Sequence, residues 1–345
     1  MKAEKNYKSF LPWENLPLKE SSIISPDNRS GNVYLEDARL QFVTEVAIVT
    51  QRPLLIRGEP GSGKSSFAPF VARNLNWRYY EYTVTGRTEA KDLLWEFDAL
   101  ARLRDAQAQV PREELDSHRY IIPGIAWWAF NHEDASKFLE AINGDKCSNN
   151  HEPFADVNKG RDSLRAVLLI DEIDKAPPDM PNDLLEVLGM NRFFVEDANI
   201  RVERKEVPPD NNADGPNKYG NLLVIITTNE ERDLPAAFLR RCIVHTLDDD
   251  DDERKKPSYR NNQIKRLCKI ARLHMDLQIQ SREDGNDLLL QVAGKCMDLR
   301  EEAIKKHRRG PSVAEFLDAL RVCLTLGVDP KGDVWQRIEK NVLIK

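Results

Sequence analysis

Three features are missing from this sequence of 345 residues, and each absence excludes a class of protein. No stretch approaches the roughly 18 consecutive apolar residues of a membrane-spanning helix, so no span is expected. The first residues, MKAEKNYKSFLPWENL, lack the apolar segment of a secretion signal. The five cysteines are scattered without a CxxC pair, which favours free thiols in a reducing compartment. These absences predict a cytoplasmic protein.

An excess of basic residues is missing as well. The sequence has 51 Lys and Arg against 57 Asp and Glu, a net charge of −6. Proteins that neutralise a phosphate backbone need a basic face, so nucleic acid is not expected as the main partner. The cluster KKHRR at 305–309 is a local exception.

Cys242 and His245 are neighbouring side chains that could suggest a metal site. They lie in the short apolar run CIVH with no second ligand pair nearby. Packing in the core is therefore favoured over metal binding.

Short apolar runs alternate with helical patterns over the first 250 residues. Such nearly continuous apolar strands, separated by helices, predict an α/β fold whose parallel sheet is covered on both faces. In the helix predicted at 88–109, Leu93, Leu94, Phe97 and Leu100 are expected to face inward. The predicted strands are 53–56, 79–85, 166–171, 221–227 and 242–247, and the predicted helices are 36–50, 63–75, 88–109 and 179–188.

The other segments have different patterns. Residues 190–221 alternate apolar and polar residues and then become loop-like, which predicts an inserted β-hairpin and loop. The acidic run 248–253 is interpreted as a solvated linker rather than an ion-binding loop. Three amphipathic helical patterns follow it. We expect an N-terminal extension at 1–35, an α/β core at 36–250 and a small helical domain at 251–345.

GEPGSGKSS, residues 58–66, has the spacing G-x-x-x-x-G-K-[ST] between a predicted strand and a predicted helix. Glycines permit backbone conformations in which N–H groups converge on a phosphate, and a helix N-terminus adds positive partial charge. Lys64 is expected to reach the β- and γ-phosphates, and Ser65 to bind Mg²⁺. The alternative is a plain glycine-rich loop. The candidate ATP-binding residues are Gly58, Glu59, Pro60, Gly61, Ser62, Gly63, Lys64, Ser65 and Ser66.

VLLIDEIDKA, residues 167–176, ends an apolar strand in two carboxylates. Asp171 is expected at the carboxyl edge of the sheet, where it would hold Mg²⁺. Glu172 is expected on the other side of the strand, because side chains alternate, and to polarise the attacking water. The alternative is that both are merely solvated. Asp174 and Lys175 are interpreted as surface residues.

The sequence resembles MoxR-like AAA+ ATPases over about 36–250, and more loosely over 257–345. GEPGSGKSS and VLLIDEIDKA match the two phosphate motifs of that family. YIIPGIAWWA (120–129) resembles the segment before the second motif, and VIITTNEERDLPAAFLRRC (224–242) the sensor and arginine-finger region. The resemblance implies a core sheet of strand order 5-1-4-3-2, an inserted hairpin and a C-terminal helical lid.

The resemblance also assigns roles to single residues. Asn229 would sense the γ-phosphate and orient water, and Thr227 and Thr228 could do so more weakly. The alternative is that Asn229 is a turn residue or helix cap. Arg240 or Arg241 would be an arginine finger acting on the ATP of a neighbouring subunit, with Arg241 preferred, unless neither acts so. Ala314 stands where the family tends to have a lid arginine. The candidates to replace it are Arg308, Arg309 and Arg321, or the lid lacks this function.

The resemblance implies an Mg²⁺-dependent ATPase that forms a homo-oligomeric ring, often a hexamer. Hydrolysis would drive chaperone-like remodelling of a client protein, and such clients often carry a von Willebrand A domain. One alternative is an ATP-switched assembly module with little turnover. Another is a GTPase or small-molecule kinase, although the sequence has no N-K-x-D guanine box.

Overall fold

The structure is a computed structural model that describes residues 13–16, 31–111, 115–143, 152–206, 220–247 and 254–343. These residues form two units. The sheet unit comprises described residues within 38–56 and 71–245, and the helical unit those within 13–37, 57–70 and 246–343. The glycine-rich motif at 58–66 therefore groups with the C-terminal helices. The predicted divisions after residues 35 and 250 stay predictions.

The strands vary from three to ten residues, and the longest ends in the acidic motif. They are β1 (Leu54–Arg57), β2 (Trp77–Thr83), β3 (Trp95–Phe97), β4 (Ile121–Pro123), β5 (Asp162–Asp171), β6 (Arg192–Val195), β7 (Ile200–Glu203), β8 (Leu222–Thr228) and β9 (Ile243–Thr246).

The three longest helices belong to the helical unit. In chain order they are α1 (Ala38–Thr50), α2 (Lys64–Leu75), α3 (Ala99–Gln107), α4 (Ile125–Phe130), α5 (His132–Asn143), α6 (Ala155–Asn158), α7 (Met180–Met190), α8 (Ala236–Arg241), α9 (Tyr259–Gln280), α10 (Gly285–Lys305), α11 (Val313–Leu326) and α12 (Trp335–Ile338).

Five strands form the central parallel sheet, in the order β2-β5-β8-β1-β9. Tyr79 is in register with Val167, and Val167 with Leu223. Ile243 N donates to Pro53 O, and four residues later Leu247 N donates to Arg57 O. Both segments therefore run in the same direction, so β9 is parallel to β1. The predicted α/β class is confirmed. The predicted order 5-1-4-3-2 numbers only the strands of this sheet, whereas the labels β1 to β9 count every strand of the described chain. The two orders are therefore written with different numbers.

Burial explains why these segments are strands. All seven residues of β8 are buried, as are the last six of β5. A strand covered on both faces needs apolar side chains in both directions, which gives the unbroken runs seen in the sequence.

The predicted helix at 88–109 is wrong. A 3₁₀ turn at Ala90–Leu93 leads into β3, which pairs antiparallel with β4, and only then does α3 begin. Local periodicity cannot reveal β4 as a partner, so the pairing overrides the helical pattern. Leu93 is buried as predicted, but Leu100 is 79% exposed on α3.

The predicted β-hairpin is present as β6 and β7, which pair antiparallel. Phe193, Val195 and Val202 are buried, whereas Phe194 and Arg201 are exposed, which is the period-2 pattern of a strand with one covered face. The loop that follows, 207–219, lies outside the described residues, as does the acidic run 248–253.

The helical unit has its own apolar core, which includes Leu267, Val292, Phe316 and Leu320. The predicted amphipathic helices correspond to α9, α10 and α11. Ser312 and Glu315 form a capping box at the start of α11, which satisfies backbone donors there.

Cys242 is buried in the apolar core of the sheet unit. Among the described residues, no cluster of His, Cys, Asp and Glu side chains could hold a metal ion. No helix in the same part of the chain combines the length and apolarity needed to cross a bilayer.

Candidate functional site

The glycine-rich loop, residues 58–63, joins β1 to α2 in a conformation that requires its glycines. Gly61 has φ +75° and Gly63 has φ +98°, in the region that residues with a side chain rarely adopt. A Cβ on Gly61 would lie 2.6 Å from Ser312 Oγ. The loop therefore excludes a side chain at Gly61 for two independent reasons.

Lys64 is held inside this loop. It is 6% exposed, and its ammonium donates to the carbonyls of Gly58 (2.7 Å) and Glu59 (2.8 Å). Ser65 and Ser66 lie in the first turn of α2, where the helix dipole places positive partial charge. The predicted loop residues are thus together in the helical unit, around the start of α2.

A cavity of about 130 Å³ in the helical unit adjoins the loop. Glu59, Pro60 and Ser62 form one wall, and the rest comes from α9, α10, the start of α11 and the segments that flank these helices. Four arginines line it against the single carboxylate of Glu59, and apolar walls come from Leu267, Ile270 and Val313. The arginines are Arg254, Arg266, Arg300 and Arg308. An anion with an apolar or aromatic body suits such a lining.

Ala314 lies at an exposed position in the first turn of α11, close to the glycine-rich loop. A Cβ on Gly61 would lie 3.4 Å from the Ala314 Cβ, so the loop packs directly against the first turn of α11. Arg309 donates to the Pro60 carbonyl (3.2 Å) and lies 3.7 Å from Glu315. Arg321 instead pairs with Asp318. Of the three replacement candidates, Arg309 contacts the loop and Arg308 lines the cavity.

In the sheet unit, Thr227 organises the acidic pair. Asp171 is 2% exposed at the carboxyl end of β5, and its Oδ1 accepts a hydrogen bond from Thr227 Oγ1. The same hydroxyl accepts from the backbone N–H of Glu172 (3.0 Å). The hydroxyl thus donates its only proton to one residue and accepts from the other, which fixes both.

Glu172 is not a strand residue, so the alternation argument for its side chain was wrong. The strand ends at Asp171, and Glu172 has φ 61° and ψ 47°, the left-handed conformation. Its carboxylate pairs with Lys175 Nζ at 2.6 Å. The hydrogen bond and charge of Glu172 raise the pKa of Lys175.

The prediction of Asp174 as a surface residue was also wrong. It is 3% exposed, and its Oδ2 accepts from the backbone N–H of Glu231 (3.0 Å). No local pattern indicates this partner, which lies 57 residues away. The bond connects the turn after β5 to the segment after β8 that carries half-buried Asn229.

Arg240 and Arg241 lie at the end of α8, and both are exposed. Neither forms an ion pair with a carboxylate within the described residues. Ile243 pairs with Pro53 at the amino-terminal edge of the sheet, whereas Asp171 ends β5 at the opposite edge. The structure therefore keeps the two finger candidates apart from the acidic pair of the same chain.

Arg52 was not singled out from the sequence. Its guanidinium donates to the carbonyls of Arg241 (3.1 Å) and Cys242 (3.0 Å), and also to that of Arg240. The last carbonyls of a helix have no partner within the helix, and a cation is favourable there. No local pattern could identify Arg52, because its partners are nearly 190 residues away.

The described part of the predicted extension packs against α2. Trp13 has ring centroids 5.8 Å from Phe67 and 5.4 Å from Phe70. Tyr34 packs on the same two rings, and its hydroxyl lies 3.8 Å from where a Gly63 Cβ would be. Burial raises the pKa of Tyr34. These aromatic contacts support the helix that starts at Lys64.

Comparison with known proteins identifies relatives of one kind. The family model described as AAA domain (dynein-related subfamily) matches residues 53–242, a range that contains both phosphate motifs, Asn229 and both finger candidates.

Among curated proteins, the mitochondrial Lon protease homolog of Caenorhabditis briggsae is 21% identical over 235 residues, covering 59% of this chain and 23% of that protein. That of Bos taurus is 24% identical over 226 residues, with the same coverage. Mitochondrial Lon protease homolog 1 of Dictyostelium discoideum is 26% identical over 256 residues, covering 69% and 20%. The chain thus spans less than a quarter of the length of these relatives.

A solved structure from Cytophaga hutchinsonii, described as a candidate ATPase, is 14% identical and covers 92% of this chain and 84% of that one. Its TM-score is 0.36.

Proposed function

Because the chain belongs to the AAA domain family, in its dynein-related subfamily, we propose that it binds Mg-ATP through residues 58–66 and hydrolyses it with Asp171 and Glu172. The observation that carries this proposal is the anion-binding start of α2. A buried lysine, a helix N-terminus and an arginine-lined cavity come together there within one unit. A polyanion with an aromatic base is the ligand that such a lining fits best.

We propose that Ser65 and Asp171 hold Mg²⁺. Asp171 is a nearly buried carboxylate aligned by a hydroxyl, and Ser65 provides a second hard oxygen at the helix start. Oxygen ligands of this kind are those that Mg²⁺ prefers. When bound, the ion screens the charge of the phosphates. Lys64 adds a fixed positive charge for the same chain of phosphates.

Glu172 is the proposed general base for the attacking water. To accept a proton, its carboxylate has to exchange the Lys175 ammonium for that water. Both side chains are about a third exposed, and ion pairs of that kind contribute only about 0–1 kcal/mol. The exchange therefore costs little compared with the barrier to hydrolysis.

We further propose that the active form is a homo-oligomeric ring, with six copies as the first arrangement to test, in which Arg241 or Arg240 acts on a neighbour's ATP. Its support is that both guanidiniums lack a carboxylate partner in the described part of the chain and lie across the sheet from Asp171. A charged, forked guanidinium that stabilises phosphate charge in trans adds on the order of 10³–10⁵ in rate.

As to subfamily, we propose that the chain is a MoxR-like remodelling ATPase of the cytoplasm. The client would be another protein, with a von Willebrand A domain as the first class to test. The two phosphate motifs and the β6–β7 hairpin beside the sheet support this assignment. The proteolytic activity named in the Lon relatives is not carried over, because the chain spans so little of them.

The Lys175–Glu172 ion pair favours one second candidate, an ATP-switched assembly module with little turnover. If Glu172 keeps this ion pair in the assembled protein, no base activates the water and turnover is slow, while ATP binding and assembly are unaffected. Phosphate release by the assembled protein separates the two functions.

Binding of a fluorescent ATP analogue to wild type, Lys64→Ala and Lys137→Ala tests nucleotide recognition. Lys137 is a matched control, because it pairs with Glu133 on the exposed face of α5. We expect affinity to fall at least about tenfold in Lys64→Ala, because a charge-assisted contact is lost, and to be unchanged in Lys137→Ala. Equal competition by GTP, or equal binding by all three proteins, would contradict the proposal.

A further inference from the structure

A second arginine-lined cavity, of about 360 Å³, lies in the sheet unit. It is bounded by the start of β1, the start of β8 and the end of α7. Its charged lining consists of three arginines and one carboxylate, which leaves a positive excess. The arginines are Arg52, Arg204 and Arg241, and the carboxylate is Glu186. Apolar walls come from Leu185, Leu188, Leu222 and Val224.

Arg204, just after β7, is the most unusual of these residues. Its Nε donates to Asn221 Oδ1 (2.7 Å) and its Nη1 to Asn191 Oδ1 (3.0 Å), both neutral amide oxygens. It forms no ion pair with any carboxylate in the described ranges. Burial lowers the pKa of Arg204 to about 10. A cation in this setting lacks a counter-charge, and an anion in the cavity would supply it.

Arg52 and Arg241 occupy the same cavity in different ways. Arg52 is committed to the carbonyls that end α8, so it fixes the backbone from which Arg241 extends. Arg241 has no carboxylate partner among the described residues. The charges of Arg204 and Arg241 are therefore both available to one ligand, and Glu186 offsets only one of them.

The anion is not the one proposed to bind near Asp171 of the same chain. Asn221, which holds Arg204, precedes β8, and Thr227, which holds Asp171, is near its end. Six residues of extended strand separate the two by about 20 Å. An arginine side chain spans only a fraction of that length. A phosphate for this cavity must therefore come from elsewhere.

We infer that Arg204 is a second residue that each copy of the chain contributes to the nucleotide held by a neighbouring copy, contacting its phosphates beside Arg241. This inference rests on the proposed ATPase function and deepens it. It makes the cavity part of a shared site that is incomplete without the second copy. Free inorganic phosphate is the other source of the same chemistry, and the test distinguishes the two.

The first test compares three substitutions. Arg204→Gln removes the charge but keeps an N–H donor for Asn221, and Arg204→Lys keeps the charge. Arg201→Gln is the matched control, because Arg201 is exposed on β7, pairs with Glu203 and does not line the cavity. We expect kcat to fall at least about tenfold in Arg204→Gln with KM for ATP unchanged, partial activity in Arg204→Lys and wild-type activity in the control.

The second test mixes Arg204→Gln copies with Lys64→Ala copies. Lys64→Ala copies cannot hold ATP but still offer Arg204 to a neighbour. At equal mixing, about a quarter of ring interfaces combine an intact nucleotide site with an intact Arg204, so turnover should reappear. A merely structural role in folding would give no such recovery.

The outcomes separate the two proposals. If wild type hydrolyses ATP and Arg204→Gln does so equally, or if mixing restores nothing, the inference is wrong while the ATPase proposal stands. If wild type shows no turnover, the ATPase proposal fails, and ATP-dependent assembly measured by sedimentation then tests the inference about Arg204. In that case equal ATP-dependent assembly of wild type and Arg204→Gln would overturn the inference. Saturable binding of inorganic phosphate by single copies through Arg204 would overturn it in either case.

Discussion

At the scale of single residues, Thr227 shows how a buried hydroxyl arranges an acidic pair. It connects the side chain of Asp171 to the backbone of Glu172. The pattern of the sequence identified Lys64, Asp171 and Glu172, because glycine spacing and a carboxylate pair after an apolar strand are local signals. The contact of Thr227 with Asp171 could not be found in this way, because it joins residues 56 positions apart.

Thr227→Val should lower kcat at least about tenfold, because Asp171 and Glu172 lose the group that aligns them. It should also destabilise the sheet unit by about 1–3 kcal/mol, since the Glu172 N–H is left without its acceptor. Thr228→Val is the control, because the Thr228 hydroxyl accepts from Glu230 N instead. Steady-state kinetics with urea unfolding would check this, and equal kinetic loss in both variants would refute it.

Lys175→Met should preserve turnover or raise it a few-fold. The ion pair holds the proposed base in competition with water, and its removal frees the Glu172 carboxylate at a cost of about 0–1 kcal/mol. Phosphate release measured under saturating ATP gives the result. A tenfold loss would mean that Lys175 itself contacts the reacting phosphates.

At the scale of elements, β3 and α8 show what sequence periodicity misses. The run 93–97 has a helical pattern, but pairing of β3 with β4 decides its structure. The end of α8 depends on a guanidinium from before β1. The alternating hairpin and the buried β8 were predictable, because their neighbours cover whole faces and so impose a pattern.

Arg52→Ala should reduce kcat without changing ATP affinity, because the end of α8 and the adjacent Arg241 lose three hydrogen bonds. We expect a loss in unfolding free energy of about 1–3 kcal/mol as well. Arg52→Lys should recover part of both, since an ammonium still donates to carbonyls. Unchanged kcat in Arg52→Ala would show that the end of α8 makes no contribution to turnover.

Glu152 connects β2 to α5 and α6 through Arg78, Tyr80, His132 and Asn158. Burial acts to raise the pKa of Glu152, but hydrogen bonds from His132 and Tyr80 and the charge of Arg78 lower it from 4.5 to about 2. A depressed pKa stabilises the fold above the unfolded value of 4.5 and loses that effect as pH falls towards 2.

Glu152→Gln should therefore make the unfolding free energy less dependent on pH under acidic conditions. Wild type should lose more unfolding free energy than the variant between about pH 6 and about pH 3. Urea midpoints across that interval provide the measurement. Parallel curves for the two proteins would contradict the assigned pKa.

At the scale of the whole molecule, alternation of strands and helices was enough to predict the α/β class. It was not enough to predict that the loop 58–63 packs with the C-terminal helices, because that grouping depends on the fit of Gly61 to Ser312 and Ala314. Ala314 stood out only as a departure from a pattern. In the structure Ala314 is exposed beside the loop, and Arg309 donates to the Pro60 carbonyl.

The central claim is that assembled copies hydrolyse ATP with Glu172 as the base. The most direct measurement is phosphate release by wild type and Glu172→Gln at saturating Mg-ATP and at a concentration where mass measurements show oligomers. We predict that both bind ATP with similar affinity and that the variant releases phosphate at least about a hundredfold more slowly. Wild-type release no faster than that of Glu172→Gln would contradict the account.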